Sequence, residues 1–187
     1  MPTILTDLDG QEIVSLSAMS EKSSAVNNYG ELLTWGSVKN RSMLNAQGNP
    51  YKDNLKLPTL FTSEDMVFSR VSVGKEHIAA ITKEGKLFTM GTEDHGKLGH
   101  DPKVISKEDA EKEAERYKKA GYKPASQLET SAAIGFVKGA IDGKTIVAVD
   151  CGEAHTVCVT DSGEVFSWGR GKFGALGLDA TNDVHTP

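Results

Sequence analysis

The chain repeats itself, and that constrains its fold more than any other feature. With Gly163 laid on Gly85, HTVCVTDSGEVFSWGRGKFGALGLD runs against HIAAITKEGKLFTMGTEDHGKLGHD for twenty-five positions without a gap. His155 falls on His77, Trp168 on Met90, Gly169 on Gly91, Gly174 on Gly96 and Gly177 on Gly99. Moving the frame to Gly30 brings out a third, weaker copy, in which Trp35 and Gly36 take the places of Trp168 and Gly169 while Lys22 stands where the histidines are. A unit repeated at this length cannot bury its apolar face alone and must stack on its neighbours.

Each copy reads as strands. In the third, Ile146–Cys151, Val157–Val159 and Val165–Trp168 are three β-rich runs, with Trp168 as the anchor and Phe166 expected on the opposite side of its strand. Asn27–Gly30, Thr82–Gly85 and Thr160–Gly163 are turn sequences closing on glycine, which takes a positive φ without steric cost, so the second and third strands form a hairpin. A fourth strand is expected upstream of each unit, at Thr3–Leu5, Thr59–Phe61 and Ala133–Val137. Four strands per unit make a propeller-like blade.

The residues that recur carry a resemblance. Cys151-Gly152, His155, Gly163, Trp168-Gly169 and Gly174-Ala175-Leu176-Gly177, matched by Val73-Gly74, His77, Gly85, Met90-Gly91 and Gly96-Lys97-Leu98-Gly99, resemble the repeat of the regulator of chromosome condensation family. The resemblance implies an all-β fold, a partial and open β-propeller of three four-stranded blades, whereas such propellers typically have seven. It also implies that His77 and His155 are hydrogen-bonding scaffold residues near the inner strands. Their recurrence supports this, because catalytic groups converge on one site whereas scaffold groups repeat with the scaffold. Trp35, Trp168, Gly36, Gly91, Gly169, Gly99 and Gly177 are repeat positions of the same structural kind.

The expected organisation is a first repeat over residues 1–56, a second over 57–102, a helical insertion over 103–131, and a third repeat over 132–187 that ends in a connection towards a further blade. The first repeat loses the glycine-rich tail: Arg41, Met43 and Leu44 stand where the third has Gly174, Leu176 and Gly177. The repeat glycines Gly30, Gly85 and Gly163 lie 55 and then 78 positions apart, which locates the insertion in the second interval. Within it, Ser106-Lys107-Glu108-Asp109 has the form of a capping box, Lys118 and Lys119 close the segment, and Gly121 and Pro124 stop it, so Lys107–Ala120 is expected to be a helix. Its apolar line, Ala110, Ala114 and Tyr117, is narrow. The segment is either a solvated decoration or a docking element using Tyr117, Lys118, Lys119, Tyr122 and Lys123, since loops commonly carry binding.

The chemistry classes are bounded in the same way. No nucleophile with a base, no phosphate-cradling glycine loop before a helix and no paired carboxylates stand out, so neither an enzyme nor a cofactor is expected. His95 and His100, flanked by Asp94 and Asp101, lack the two-cluster spacing of a zinc site and read as tail residues. A net charge of −5 and a pI of about 5.6 disfavour nucleic-acid partners. No run approaches the roughly 20 apolar residues of a membrane span. Two cysteines, Cys151 and Cys158, make no disulfide framework and point to a reducing compartment, cytoplasmic or cytoskeletal.

A non-catalytic protein-interaction or scaffold module, completed by other proteins or by further blades, is therefore the leading expectation. Resemblance offers two alternatives. One is nucleotide exchange on a Ran-like small GTPase, which the acidic balance and small number of blades disfavour. The other is the propeller portion of a larger enzyme such as a HECT-type ubiquitin ligase.

Overall fold

The structure, a computed structural model, describes residues 3–37, 43, 53–61, 66–100 and 132–187. Eleven strands run in chain order among them: β1 (Ile13–Met19), β2 (Lys22–Asn27), β3 (Leu32–Gly36), β4 (Leu55–Phe61), β5 (Phe68–Val73), β6 (His77–Thr82), β7 (Leu87–Thr92), β8 (Ala132–Phe136), β9 (Ile146–Cys151), β10 (His155–Thr160) and β11 (Val165–Gly169). They form antiparallel meanders in the orders β1-β2-β3-β4, β5-β6-β7-β8 and β9-β10-β11. The described residues are thus three propeller blades, the partial propeller expected from the repeats. The predicted helix at Lys107–Ala120 lies outside the described residues.

The turn chemistry explains why the hairpins recur. At the three equivalent turns Asn27, Thr82 and Thr160 each offer a side-chain oxygen to the backbone N–H four residues on, at Glu31 (2.9 Å), Lys86 (3.2 Å) and Glu164 (3.1 Å). The closing glycine follows at φ of +86°, +77° and +84°. This side-chain pairing supplies the turn with a partner that an apolar residue at the same position could not.

Two expectations about strands are corrected. In the first and second blades the fourth strand follows the hairpin rather than preceding it: Leu60 pairs with Leu33 in the first sheet, and Gly135 with Thr89 in the second. Thr3–Leu5 forms no strand, although a short 3-10 turn follows at Thr6–Leu8. Pro58 sits within β4, on an outer edge where its missing N–H costs nothing. The third sheet has three strands, and only a single bridge, Gly169 to Val184, begins a fourth. Val184 takes the place against Gly169 that Leu55 takes against Gly36 in the first sheet.

The core lies between blades rather than within them. One cluster joins Val26, Leu32, Met43 and Phe61 to Phe68, Val71, Ile78, Phe88 and Met90 across the first and second blades. Another joins Ala79, Ile81, Leu87 and Val137 to Ile146, Cys151, Cys158 and Trp168 across the second and third. Consequently every residue of β6 and β7 is buried, whereas β10 is buried only at alternate positions and β1 alternates between half-buried and exposed. Phe166 packs on the same cluster as Trp168, because residues two apart on a strand share a face, which corrects the expected opposite side. Met43, where the tail of the first repeat loses its glycines, is fully buried and takes the place of Leu98.

Candidate interaction surfaces

The seam between the second and third blades holds the densest polar network among the described residues. The backbone carbonyl of Lys97, in the Gly96–Gly99 tail, accepts two hydrogen bonds from the next blade: Thr156 Oγ1 at 2.9 Å and Trp168 Nε1 at 3.1 Å. Thr156 and Trp168 are cross-strand partners, which sets their donors side by side. The indole is fully buried and lies over Gly99, where an added Cβ would sit 2.5 Å from Nε1. The Gly-x-Leu-Gly tail is therefore a strap whose carbonyl and bare glycine receive the following blade's tryptophan.

His77 completes the network. Its Nε2 lies 2.9 Å from Thr156 Oγ1. The single Thr156 hydroxyl proton goes to the Lys97 carbonyl, so Nε2 must carry the proton of the histidine bond. Nδ1 has no hydrogen-bond partner among the described residues. Burial, with Lys97 and Lys22 nearby, pushes the His77 pKa down to about 3, so the ring is neutral at physiological pH. Proton transfer at pH 7 is thereby closed to it. Gly91, paired with His77 across the hairpin, has φ +140°, and a Cβ there would lie 2.6 Å from the His77 Cα. Gly169 has the same relation to His155, and Gly36 to Lys22.

Lys22, in the histidine position of the first blade, donates to the carbonyl of Lys75 on the second. It and Lys97 are both buried, and burial lowers each pKa to about 8. Lys97 is balanced by Asp94, with Thr92 at 2.9 Å and Glu76 at 4.0 Å. Along the inner strands a further contact repeats at equivalent positions. Val73 N–H donates to Ser17 Oγ at 3.0 Å, and Cys151 N–H to Ser72 Oγ at 2.9 Å. Sequence reasoning missed these serines, whose signal is their recurrence 55 positions apart on strands otherwise rich in apolar residues.

Both cysteine thiols are free and buried, with pKa values raised by desolvation to about 12 at Cys151 and about 11 at Cys158, so neither is an activated nucleophile. Among the described residues no three His, Cys, Asp or Glu side chains gather to hold a metal. His95 instead pairs with Asp183 at 2.7 Å, tying the second blade's tail to the segment after the third, and His100 is buried. Tyr117, Lys118, Lys119, Tyr122 and Lys123 lie outside the described residues.

The outward faces of the end blades contrast with these seams. Leu87, on the second blade's face towards the third, is 2% exposed, whereas Val165 at the equivalent position of the third blade is 68% exposed. Phe173, equivalent to His95, is 89% exposed at a φ of +62°. On the first blade Leu16 is 66% exposed and Trp35 only half-buried, whereas the equivalent Val149 and Trp168 pack in the second core cluster. Ala25 and Leu33 on the same face are buried.

Comparison with known proteins agrees with the repeat reading. Residues 146–175 match the regulator of chromosome condensation (RCC1) repeat. The whole chain aligns at 27% identity over 192 residues with the E3 ubiquitin-protein ligase HERC2 of Homo sapiens, and at 28% over 186 residues with the secretion-regulating guanine nucleotide exchange factor of Bos taurus. It spans 3% of the length of the first and 37% of the second. The crystal structure of Prp20p from Saccharomyces cerevisiae, a protein described with its binding to Gsp1p and histones, superposes with a TM-score of 0.69 at 18% identity, covering 92% of this chain and 36% of that one. That likeness establishes the fold alone.

Proposed function

We propose, from the premise that this chain is an arc of RCC1-type repeats, that it is a non-catalytic protein-interaction module. The observation that carries this reading is the pair of end-blade faces. Each displays apolar side chains at positions that are buried where two blades meet, and exposed apolar patches of this kind mark association sites. The chemistry supports it as well, since the buried histidine is neutral and the thiols are protonated. Two free thiols also fit a reducing compartment. The Tyr117 to Lys123 segment is a second docking candidate, tested by its deletion.

Photo-crosslinkers placed at Leu16 and Val165 test the proposal in cells that make the protein. Discrete protein adducts at these positions are expected, with none at Asp161 on an exposed turn. Equal labelling at all three sites would remove the basis for the reading.

The resemblance to an exchange factor and to a ligase keeps two further roles in view, exchange on a Ran-like GTPase and service as the propeller portion of a longer ligase. Release of a fluorescent guanine nucleotide from such a GTPase separates the first from an adaptor. No acceleration is expected, because an arc of three blades presents only part of a propeller face.

A further inference from the structure

We propose that a cleft at the hairpin-turn end of the second blade binds an acidic peptide, taking one large apolar side chain of it inside and its carboxylates on the rim. The cleft holds about 180 Å³ and opens where the chain leaves β8. Its floor is Leu87, Val137, Ile141 and Ile146, all at most 6% exposed, and its wall is the Phe136 ring, 39% exposed. These residues belong to the second blade, the link of residues 137–145 and the first position of β9, so the site is separate from both end faces. The segment that ends at Pro187 meets the link at the Ala140 N–H, 3.1 Å away and outside the lining.

The link builds this cleft by folding back on its own blade. Ile141 anchors it in the second core cluster, and two turns flank that anchor: Asp142 N–H donates to the Gly139 carbonyl and Lys144 N–H to the Ile141 carbonyl, each at 3.0 Å. Both ends are tied to the β6-β7 hairpin, through Val137 N–H to the Leu87 carbonyl at 2.9 Å and Ile146 N–H to the Gly85 carbonyl at 2.8 Å. The Phe136 ring stands edge-on to Phe88, with centroids 5.8 Å apart. The walls are therefore set before a ligand arrives. A cavity of roughly 150 Å³ accepts benzene, so this one has room for a single phenyl or leucyl side chain.

Charge decides what accompanies that side chain. Lys86, Lys138 and Lys144 stand on the rim against one acid, Asp142, in a chain whose net charge is −5. Lys144 is taken by Glu164 at 2.6 Å, and Asp142 accepts the Gly139 N–H at 3.3 Å. Glu84, two residues before Lys86, hydrogen-bonds within its own turn. Lys86 and Lys138 form no ion pair among the described residues, and the Lys86 ammonium lies 6.0 Å from the Phe136 centroid. Two unspent ammonium groups beside an apolar cleft complement a phenylalanine or leucine with carboxylates next to it. The positive rim is also not a property of the repeat. The first and third blades carry Glu31 and Glu164 where the second has Lys86, and Glu31 is held by Asn27 Nδ2 at 2.6 Å. Scaffold groups recur with the scaffold, and this group does not.

The test is fluorescence anisotropy of a fluorescein-labelled peptide, one phenylalanine between pairs of glutamates, titrated with the intact chain. Saturable binding is expected, weakening as salt is added. Lys86→Glu and Lys138→Glu should each weaken it at least tenfold with an unchanged thermal melt, because both side chains are exposed. Lys83→Glu makes the same charge change on the same hairpin outside the cleft and should leave binding as it was. Replacing the peptide's phenylalanine by glycine should also cost at least tenfold. No binding up to millimolar peptide, an equal loss with Lys83→Glu, or undiminished binding of the glycine peptide overturns the proposal. None of these results touches the crosslinking test at Leu16 and Val165, which lie outside the cleft.

Discussion

Trp168→Ala and Trp35→Ala place the same chemical change at equivalent positions of two blades, one enclosed by a neighbour and one not. Trp168 is 0% exposed, packs with Cys151, Cys158 and Leu87 in the second core cluster, and donates to the Lys97 carbonyl. Truncating a buried Trp costs about 3–5 kcal/mol through lost transfer energy and a residual cavity. The carbonyl left behind keeps its bond from Thr156, so the unsatisfied-acceptor penalty is largely avoided and the lower half of that range is expected. Trp168→Phe keeps most of the ring and loses the N–H, for a cost of about 1–2 kcal/mol. Trp35 is half-buried on an end face, and its truncation should cost about 1 kcal/mol or less in the monomer. Urea unfolding at concentrations where the chain is monomeric reads all three, with the midpoint shifting at constant slope. Equal destabilisation by the two alanine variants would refute the claim that the core lies between blades.

Further outcomes follow from the same seam. His77 holds its folded pKa near 3 while the unfolded value is 6.5, so below pH 6.5 the unfolded chain binds more protons and stability falls with falling pH. Between pH 7.5 and 5 this one group should remove about 2 kcal/mol, and His77→Gln should flatten the profile in chemical denaturation across that window. Gly91→Ala sets a Cβ 2.6 Å from the His77 Cα at φ +140°, whereas Gly143→Ala at φ +76° meets open space. The first should lower stability by about 2 kcal/mol more than the second in thermal melts. Thr156→Val keeps the shape and removes the hydroxyl that links the His77 ring to the Lys97 carbonyl, at a cost of about 1–3 kcal/mol in urea titrations.

What the sequence disclosed and what it withheld divide along a physical line. Hairpins are local, so Asn27, Thr82 and Thr160 with their closing glycines identified the second and third strands of every blade. Strand ownership is not local: Leu55–Phe61 has the same alternation whether it pairs with β3 behind it or with β5 ahead, and only the chain's path around the blade decides. The repeat alignment located His77, His155, Trp168 and the strap glycines without revealing why they recur together, because their partners lie about 60 to 80 positions away on another blade. Met43 shows the converse. Its glycines are gone, so it reads as a lost tail, yet the position still needs an apolar side chain against Met90 in the seam. What the two seams share is thus a filled junction rather than a fixed motif. A large indole needs a bare glycine beneath it, as Trp168 has in Gly99, so the strap and the indole of this seam are a matched pair.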